Sequence, residues 1–66
     1  MTPAQFAAAR HALGLTQEAL AERLGYAGTP QTKRTIISRF ETGKRPIPPM
    51  AALLLKALLR TKPPAY

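Results

Sequence analysis

The side chains with the most evident chemical use in this sequence are cations, and half of them lie close together. The chain of 66 residues carries ten Lys and Arg against three acids, a formal net charge of +7. Between positions 33 and 45 the only acid is Glu41, and five cations surround it: Lys33, Arg34, Arg39, Lys44 and Arg45. Ammonium and guanidinium groups at this density pair with the phosphates of a polyanion. The pattern therefore indicates a nucleic-acid partner, and its alternatives are an anionic membrane surface or a solvated basic face.

The sequence offers little to a catalytic or metal site. It has no cysteine, and His11 is its only histidine. Glu18 and Glu22 are accounted for by the helix dipole and the surface, and Glu41 by an ion pair. No glycine-rich phosphate loop or nucleophile motif is present. We therefore expect no enzymatic activity, no metal or other cofactor, and no small-molecule effector.

The N-terminal residues lack the basic and apolar regions of a signal peptide. The longest strictly apolar run, Met50 to Leu55, is too short to span a bilayer. We therefore expect a cytoplasmic protein that is not embedded in a membrane.

Capping residues and glycines divide the chain into short helices that must position the cations. Threonine caps, prolines at first helical positions and terminal glycines predict the following segments: Pro3 to Leu13, a second helix capped by Thr16 and closed by Gly25, a third from Pro30 to about Thr42, and a fourth from Pro49 to Arg60. The fold class is therefore all-α, a compact bundle of four to five short helices. Residues 1–60 form the domain, and residues 61–66 are predicted to be a flexible tail.

Helical periodicity assigns the faces of the third and fourth helices. Ile37 and Phe40 face the core in the third helix, and the residues on or near the exposed arc are Lys33, Arg34, Thr35 and Ser38, with Arg39 at its edge. The predicted core stripe of the fourth helix is Met50, Leu53, Leu54, Ala57 and Leu58. Leu55 and Leu59 fall on a neighbouring face, where they either complete the core or form an exposed strip that dimerises the domain.

Two blocks of sequence resemble a known family. Residues 13–25, LGLTQEALAERLG, and residues 37–45, ISRFETGKR, resemble the lambda-repressor/Cro-like (XRE-type) helix-turn-helix family of DNA-binding domains. The resemblance extends over most of the chain. It implies that the second and third helices form the helix-turn-helix, with the third helix reading the major groove.

The resemblance also implies roles for individual residues. Gln17 matches a position that hydrogen-bonds a DNA phosphate and supports the base-reading side chains. The exposed positions that read base edges are matched by Lys33, Arg34, Thr35 and Ser38, and positions near the DNA backbone are matched by Arg39, Lys44 and Arg45. Arg10 and Glu41 match a partly buried salt bridge between the first helix and the end of the third. Independently, the Arg34 guanidinium suits guanine O6 and N7.

One segment departs from the family pattern. From Gly25 to Glu41 the chain is about six residues longer than a helix-turn-helix with its usual short turn. The extra residues form an enlarged turn, an N-terminal extension of the third helix, or both. Tyr26 and Gln31 then either join the DNA surface, or Tyr26 covers the core.

The sequence thus predicts a binding protein for double-stranded DNA, a repressor-like transcription regulator that binds two half-sites as a homodimer, for which Leu55 and Leu59 are one candidate surface. The first alternative is an antitoxin-like protein-interaction module that acts through the apolar face of the fourth helix. The second is a basic amphipathic peptide that acts on membranes. The few cations of the fourth helix and the distant position of the basic cluster speak against that last alternative.

Overall fold

Four α-helices make up the part of the chain that the structure, a computed structural model, describes, namely residues 1–61. They are α1 (Pro3–Ala12), α2 (Gln17–Arg23), α3 (Pro30–Glu41) and α4 (Pro49–Arg60). No strand occurs among the described residues, so the predicted all-α class is confirmed. Thr61 caps the C-terminus of α4, and the rest of the predicted flexible tail lies outside the described residues.

The helices begin where the capping signals predicted. Thr2 and Gln5 form a capping box, in which the Thr2 hydroxyl accepts a hydrogen bond from the Gln5 amide and the Gln5 side chain accepts one from the Thr2 amide. Thr16 and Thr29 each accept a hydrogen bond from the backbone N–H three residues on. These bonds satisfy amides that otherwise have no partner in the first turn of a helix. Pro49 starts α4 without a side-chain cap.

The core is a single cluster of side chains to which all four helices contribute. Its largest members are at most 1% exposed: Phe6, Leu20, Ile37, Phe40 and Leu55. The Phe6 and Phe40 rings meet edge to face, with centroids 5.7 Å apart, an arrangement that aromatic quadrupoles favour. Ala21 is fully buried in α2, the helix packed most closely on α3. A small side chain there allows the two backbones to approach each other.

The additional residues between α2 and α3 are divided between the linker and the helix. Residues 24–29 form a linker longer than the usual three- or four-residue turn, and α3 extends over 12 residues. Tyr26, in this linker, is half-buried and its ring centroid lies 6.2 Å from that of Phe40. Tyr26 therefore covers the core, which was one of the two roles considered for it.

A polar network joins three helix ends at the Glu41 carboxylate. Arg10 Nε lies 2.6 Å from Glu41 Oε2, and the two side chains are 12% and 10% exposed. The structure therefore contains the ion pair between α1 and α3 that the sequence predicted. Arg10 Nη1 also donates to the Leu15 carbonyl oxygen at 2.9 Å. Gln17 Nε2, at the start of α2, donates to Glu41 Oε1 at 3.1 Å.

The predicted core face of α4 is wrong at all of its residues except Leu58, which packs against the core. Ala51 and Leu55 are the buried residues of α4, whereas Met50, Leu53 and Leu54 are 66%, 60% and 38% exposed. The helix is apolar around most of its circumference, so more than one apolar stripe can be drawn on it, and the face packed against α1 is not the one predicted.

The proposed dimer strip of α4 is corrected by the same finding. Leu55 has no exposed surface, and Leu59 is half-buried and packed against the core. Both residues therefore complete the core, which was the other role considered for them. Among the described residues, none of the helices combines the length and apolarity that crossing a membrane requires.

Replacing each of two leucines of α4 by alanine tests which face of the helix packs against the core. We expect Leu55→Ala to lower the free energy of unfolding by about 2–4 kcal/mol, because it leaves a cavity in the core. Leu53→Ala, the matched control on the exposed face, is expected to change it by at most about 0.5 kcal/mol. Urea denaturation followed by circular dichroism measures both, and a larger loss for Leu53→Ala would show that the helix is rotated differently.

Neutralising two glutamates tests the polar network. Glu41→Gln is expected to lower the free energy of unfolding by about 1–2 kcal/mol, because the Arg10 guanidinium keeps only a weaker, uncharged acceptor in a half-buried place. The control is Glu22→Gln, since the Glu22 side chain is 58% exposed and pairs with Lys33 at the surface. That change is expected to cost at most about 0.5 kcal/mol. Equal losses in thermal or urea unfolding would contradict a special role for the Glu41 network.

Candidate nucleic-acid interface

The outer face of α3 and the loop that follows it form one open groove with a volume of about 270 Å³. Its lining consists of three cations and three hydroxyl side chains: Arg34, Thr35, Ser38, Arg39, Thr42 and Lys44. The helical members recur every three or four residues, so they share a face. Ile37 and Phe40 are buried in the core. The structure thus brings together five of the residues that the sequence predicted for DNA contact.

The cations that line this groove are more exposed than two of its three hydroxyl residues. Arg34, Arg39, Lys44 and Thr42 are exposed, whereas Thr35 and Ser38 are half-buried. A guanidinium can donate two parallel hydrogen bonds to guanine, and hydroxyls can donate to or accept from several base edges. The groove has no acidic lining residue. It therefore suits a ligand that presents both anionic oxygens and hydrogen-bonding edges.

The loop after α3 is held by backbone and side-chain hydrogen bonds. Gly43 has a φ of 77°, a left-handed conformation that ends the helix and that a side chain would strain. The Arg45 amide then donates to the Arg39 carbonyl oxygen at 3.2 Å. Lys44 and Arg45 are consequently exposed beside the C-terminus of α3, with Lys44 lining the groove and Arg45 outside its lining.

Thr42 is a groove residue that the sequence reasoning missed. Its hydroxyl donates to the Ser38 carbonyl oxygen at 2.9 Å, one turn back along α3. The signal was present in the sequence, because Thr42 stands four residues after Ser38 and therefore on the same helical face. It was assigned only as the end of the helix.

Lys33, for which the sequence predicted a base-reading role, lies away from the groove. Its side chain is 15% exposed, and its ammonium lies 3.0 Å from Glu22 Oε1 on α2. Lys33 stands four residues before the buried Ile37, so its aliphatic stem points toward the interior side of α3. The side chain therefore ties α3 to α2 and does not line the groove.

Gln31 and Gln17 lie at the edges of the predicted surface. Gln31 is exposed in the first turn of α3, three residues before Arg34, and continues that face without lining the groove. Gln17 is half-buried and directs one amide hydrogen to Glu41. A primary amide has two such hydrogens, so Gln17 retains one for another acceptor.

The side chains that could bind a metal ion are not clustered in the part of the chain that the structure describes. Within residues 1–61 no group of three or more histidine and acidic side chains is placed to hold a metal ion. His11 is exposed, and its Nε2 lies 3.2 Å from Arg10 Nη2.

The sequence of the chain matches the model of a known protein family. The helix-turn-helix domain matches residues 4–65, which include the groove and all four helices apart from Pro3, the first residue of α1. No curated protein and no solved structure matches the chain significantly. Helix-turn-helix domains of this kind bind DNA and are typically not enzymes. The chain belongs to the helix-turn-helix domain family, within the XRE-like superfamily.

Proposed function

We propose that this protein binds double-stranded DNA sequence-specifically and represses transcription by occupying promoter DNA. The observation that carries the proposal is the groove on α3, which is lined by three exposed cations and three hydroxyl side chains. Cations suit phosphates, and hydroxyl groups suit base edges. Occupation of a promoter is sufficient for repression, because it excludes other proteins from the same DNA.

In the proposed complex α3 lies in the major groove and α2 crosses the DNA backbone, as in other helix-turn-helix domains. Base edges face the residues along the outer side of α3: Gln31, Arg34, Thr35 and Ser38. Phosphates meet the cations at its C-terminal end: Arg39, Lys44 and Arg45. The second amide hydrogen of Gln17 is donated to a further phosphate, while the first continues to hold Glu41.

Lys33 has a positioning role in this proposal. Its ion pair with Glu22 joins the first half of α3 to α2, at the side where the linker is longer than usual. The additional length of α3 is thereby supported on the α2 side. Pairing of two copies on adjacent half-sites stays a prediction, and the buried Leu55 does not provide its surface.

The phosphate contacts predict a change in salt dependence. We expect Arg39→Ala to weaken binding to all duplex sequences alike and to lower the slope of log affinity against log salt by about 1, because one phosphate contact is lost. Fluorescence anisotropy with a labelled mixed-sequence duplex, titrated from low to physiological salt, measures both quantities.

The matched control removes a cation elsewhere. Lys56→Ala on α4 changes the net charge by the same amount, and Lys56 is not among the α3 groove residues. We expect it to leave the slope unchanged. Equal effects of the two substitutions would show that the total charge, and not the α3 groove, determines DNA binding.

The base contacts predict a change in sequence preference. Once selection from a random duplex library has given a preferred sequence, Arg34→Ala is expected to cost about 1–3 kcal/mol on that sequence. It should also relax the preference at one or two adjacent positions. Lys33→Ala serves as the control, since Lys33 faces α2. Loss of its positioning contact should affect all sequences alike and keep the wild-type preference. A relaxed preference in the Lys33 variant with none in the Arg34 variant would overturn the proposed orientation of α3.

A further inference from the structure

An apolar stripe on α4 faces solvent, and the DNA-binding proposal makes no use of it. It consists of Met50, Leu53, Leu54 and Ala57, all of which are exposed. These residues recur at intervals of three and four, so they form one continuous row along about two turns of the helix. A row of large exposed apolar side chains on a small domain marks an interaction surface more often than isolated ones do.

The C-terminal half of this stripe opens into a second groove with a volume of about 350 Å³. Its lining combines apolar and basic side chains: Leu53, Lys56, Ala57, Arg60 and Thr61. It shares no residue with the α3 groove. Both of its ionic side chains are cations, and α4 contains no acidic residue.

We propose that this groove binds an acidic amphipathic segment of another protein. A helical segment with apolar side chains every three or four residues can lay them along the α4 stripe, which is how amphipathic helices occupy grooves. Carboxylates at the edge of such a segment reach Lys56 and Arg60, where they find complementary charge. The apolar contacts supply affinity, and the two cations select an acidic partner.

A second copy of this chain is a poor occupant because it has few carboxylates to supply. Of the three acids in the sequence, Glu41 pairs with Arg10 and Glu22 with Lys33, and the third, Glu18, is half-buried in the first turn of α2. A parallel pair of α4 helices would bring Lys56 and Arg60 of both copies toward each other, and in an antiparallel pair these cations would meet no carboxylate of α4, in a chain with a net charge of +7. Unopposed like charges at an interface are unfavourable.

A lipid surface fits the groove less well than a protein segment does. Recognition of anionic membranes uses clusters of about four or more cations, whereas α4 offers Lys56 and Arg60. The opposite face of α4, with Ala51 and Leu55, is held in the core. The helix therefore cannot rotate to place more apolar surface in a bilayer.

The test uses the whole chain and a designed probe. The probe is a fluorescein-labelled peptide, as long as α4, with Leu at helical spacing and Glu at the flanking positions. We expect the intact protein to bind it, and to bind neither a scrambled peptide of the same composition nor a Leu/Lys peptide of the same pattern. The double substitution Lys56→Glu/Arg60→Glu should weaken binding of the Leu/Glu peptide by about tenfold or more and create binding of the Leu/Lys peptide.

Two further variants separate this groove from the DNA surface. Leu53→Ser, at an exposed position, should keep the helical circular dichroism and DNA binding but lose the peptide. Arg34→Ala/Arg39→Ala should lose DNA and keep the peptide, so that failure of either proposal is recognised independently. Equal binding of the scrambled peptide, or loss of the peptide by the Arg34/Arg39 variant, would overturn the inference. So would sedimentation that shows self-association abolished by Leu53→Ser, or stronger binding to phosphatidylglycerol vesicles than to the peptide.

Discussion

The arrangement of the first three helices depends on the carboxylate of Glu41. The last residue of α3 accepts hydrogen bonds from Arg10 on α1 and from Gln17 at the start of α2. Apolar contacts through Ile37 and Phe40 hold α3 against the core, but such contacts are non-directional and tolerate small rotations. Hydrogen bonds to a carboxylate have narrow preferences in distance and angle. The network therefore fixes the rotation of α3, which determines which of its side chains face solvent.

The rotation of α3 separates its two kinds of residue. On one side Ile37 and Phe40 occupy the core, and on the other Arg34 and Ser38 line the groove. Lys33 falls between these sides and bridges to Glu22, an exposed pair of small energetic value. Its contribution is geometric, because it supports the N-terminal half of α3, whereas Glu41 anchors the C-terminal end.

The two grooves of the molecule differ in what they can bind. The α3 groove has hydroxyl groups between its cations, whereas the α4 groove has apolar side chains beside Lys56 and Arg60. Hydroxyl groups and guanidinium groups suit base edges and phosphates. Apolar side chains bind a nucleic-acid backbone poorly but suit a protein segment. Because α4 packs mainly on α1, the second groove is built on a different part of the scaffold from the first.

The sequence by itself determined the features that depend on neighbours along the chain. Thr2, Thr16 and Thr29 mark the starts of three helices because a cap acts within three residues of itself. The division of α3 into an apolar and a polar side also predicted most of the residues that line its groove. The pairing of Arg10 with Glu41 came from the family resemblance, since nothing local connects residues on different helices.

Only the tertiary structure decided the orientation of side chains whose surroundings come from other helices. The rotation of α4 depends on α1, because a helix that is apolar around most of its circumference can turn more than one apolar face toward the core. Lys33 turns toward α2 because Glu22 lies within its reach there, a fact that no helical wheel of α3 contains. Local capping fixes where helices begin, whereas packing between helices fixes which surfaces remain for partners.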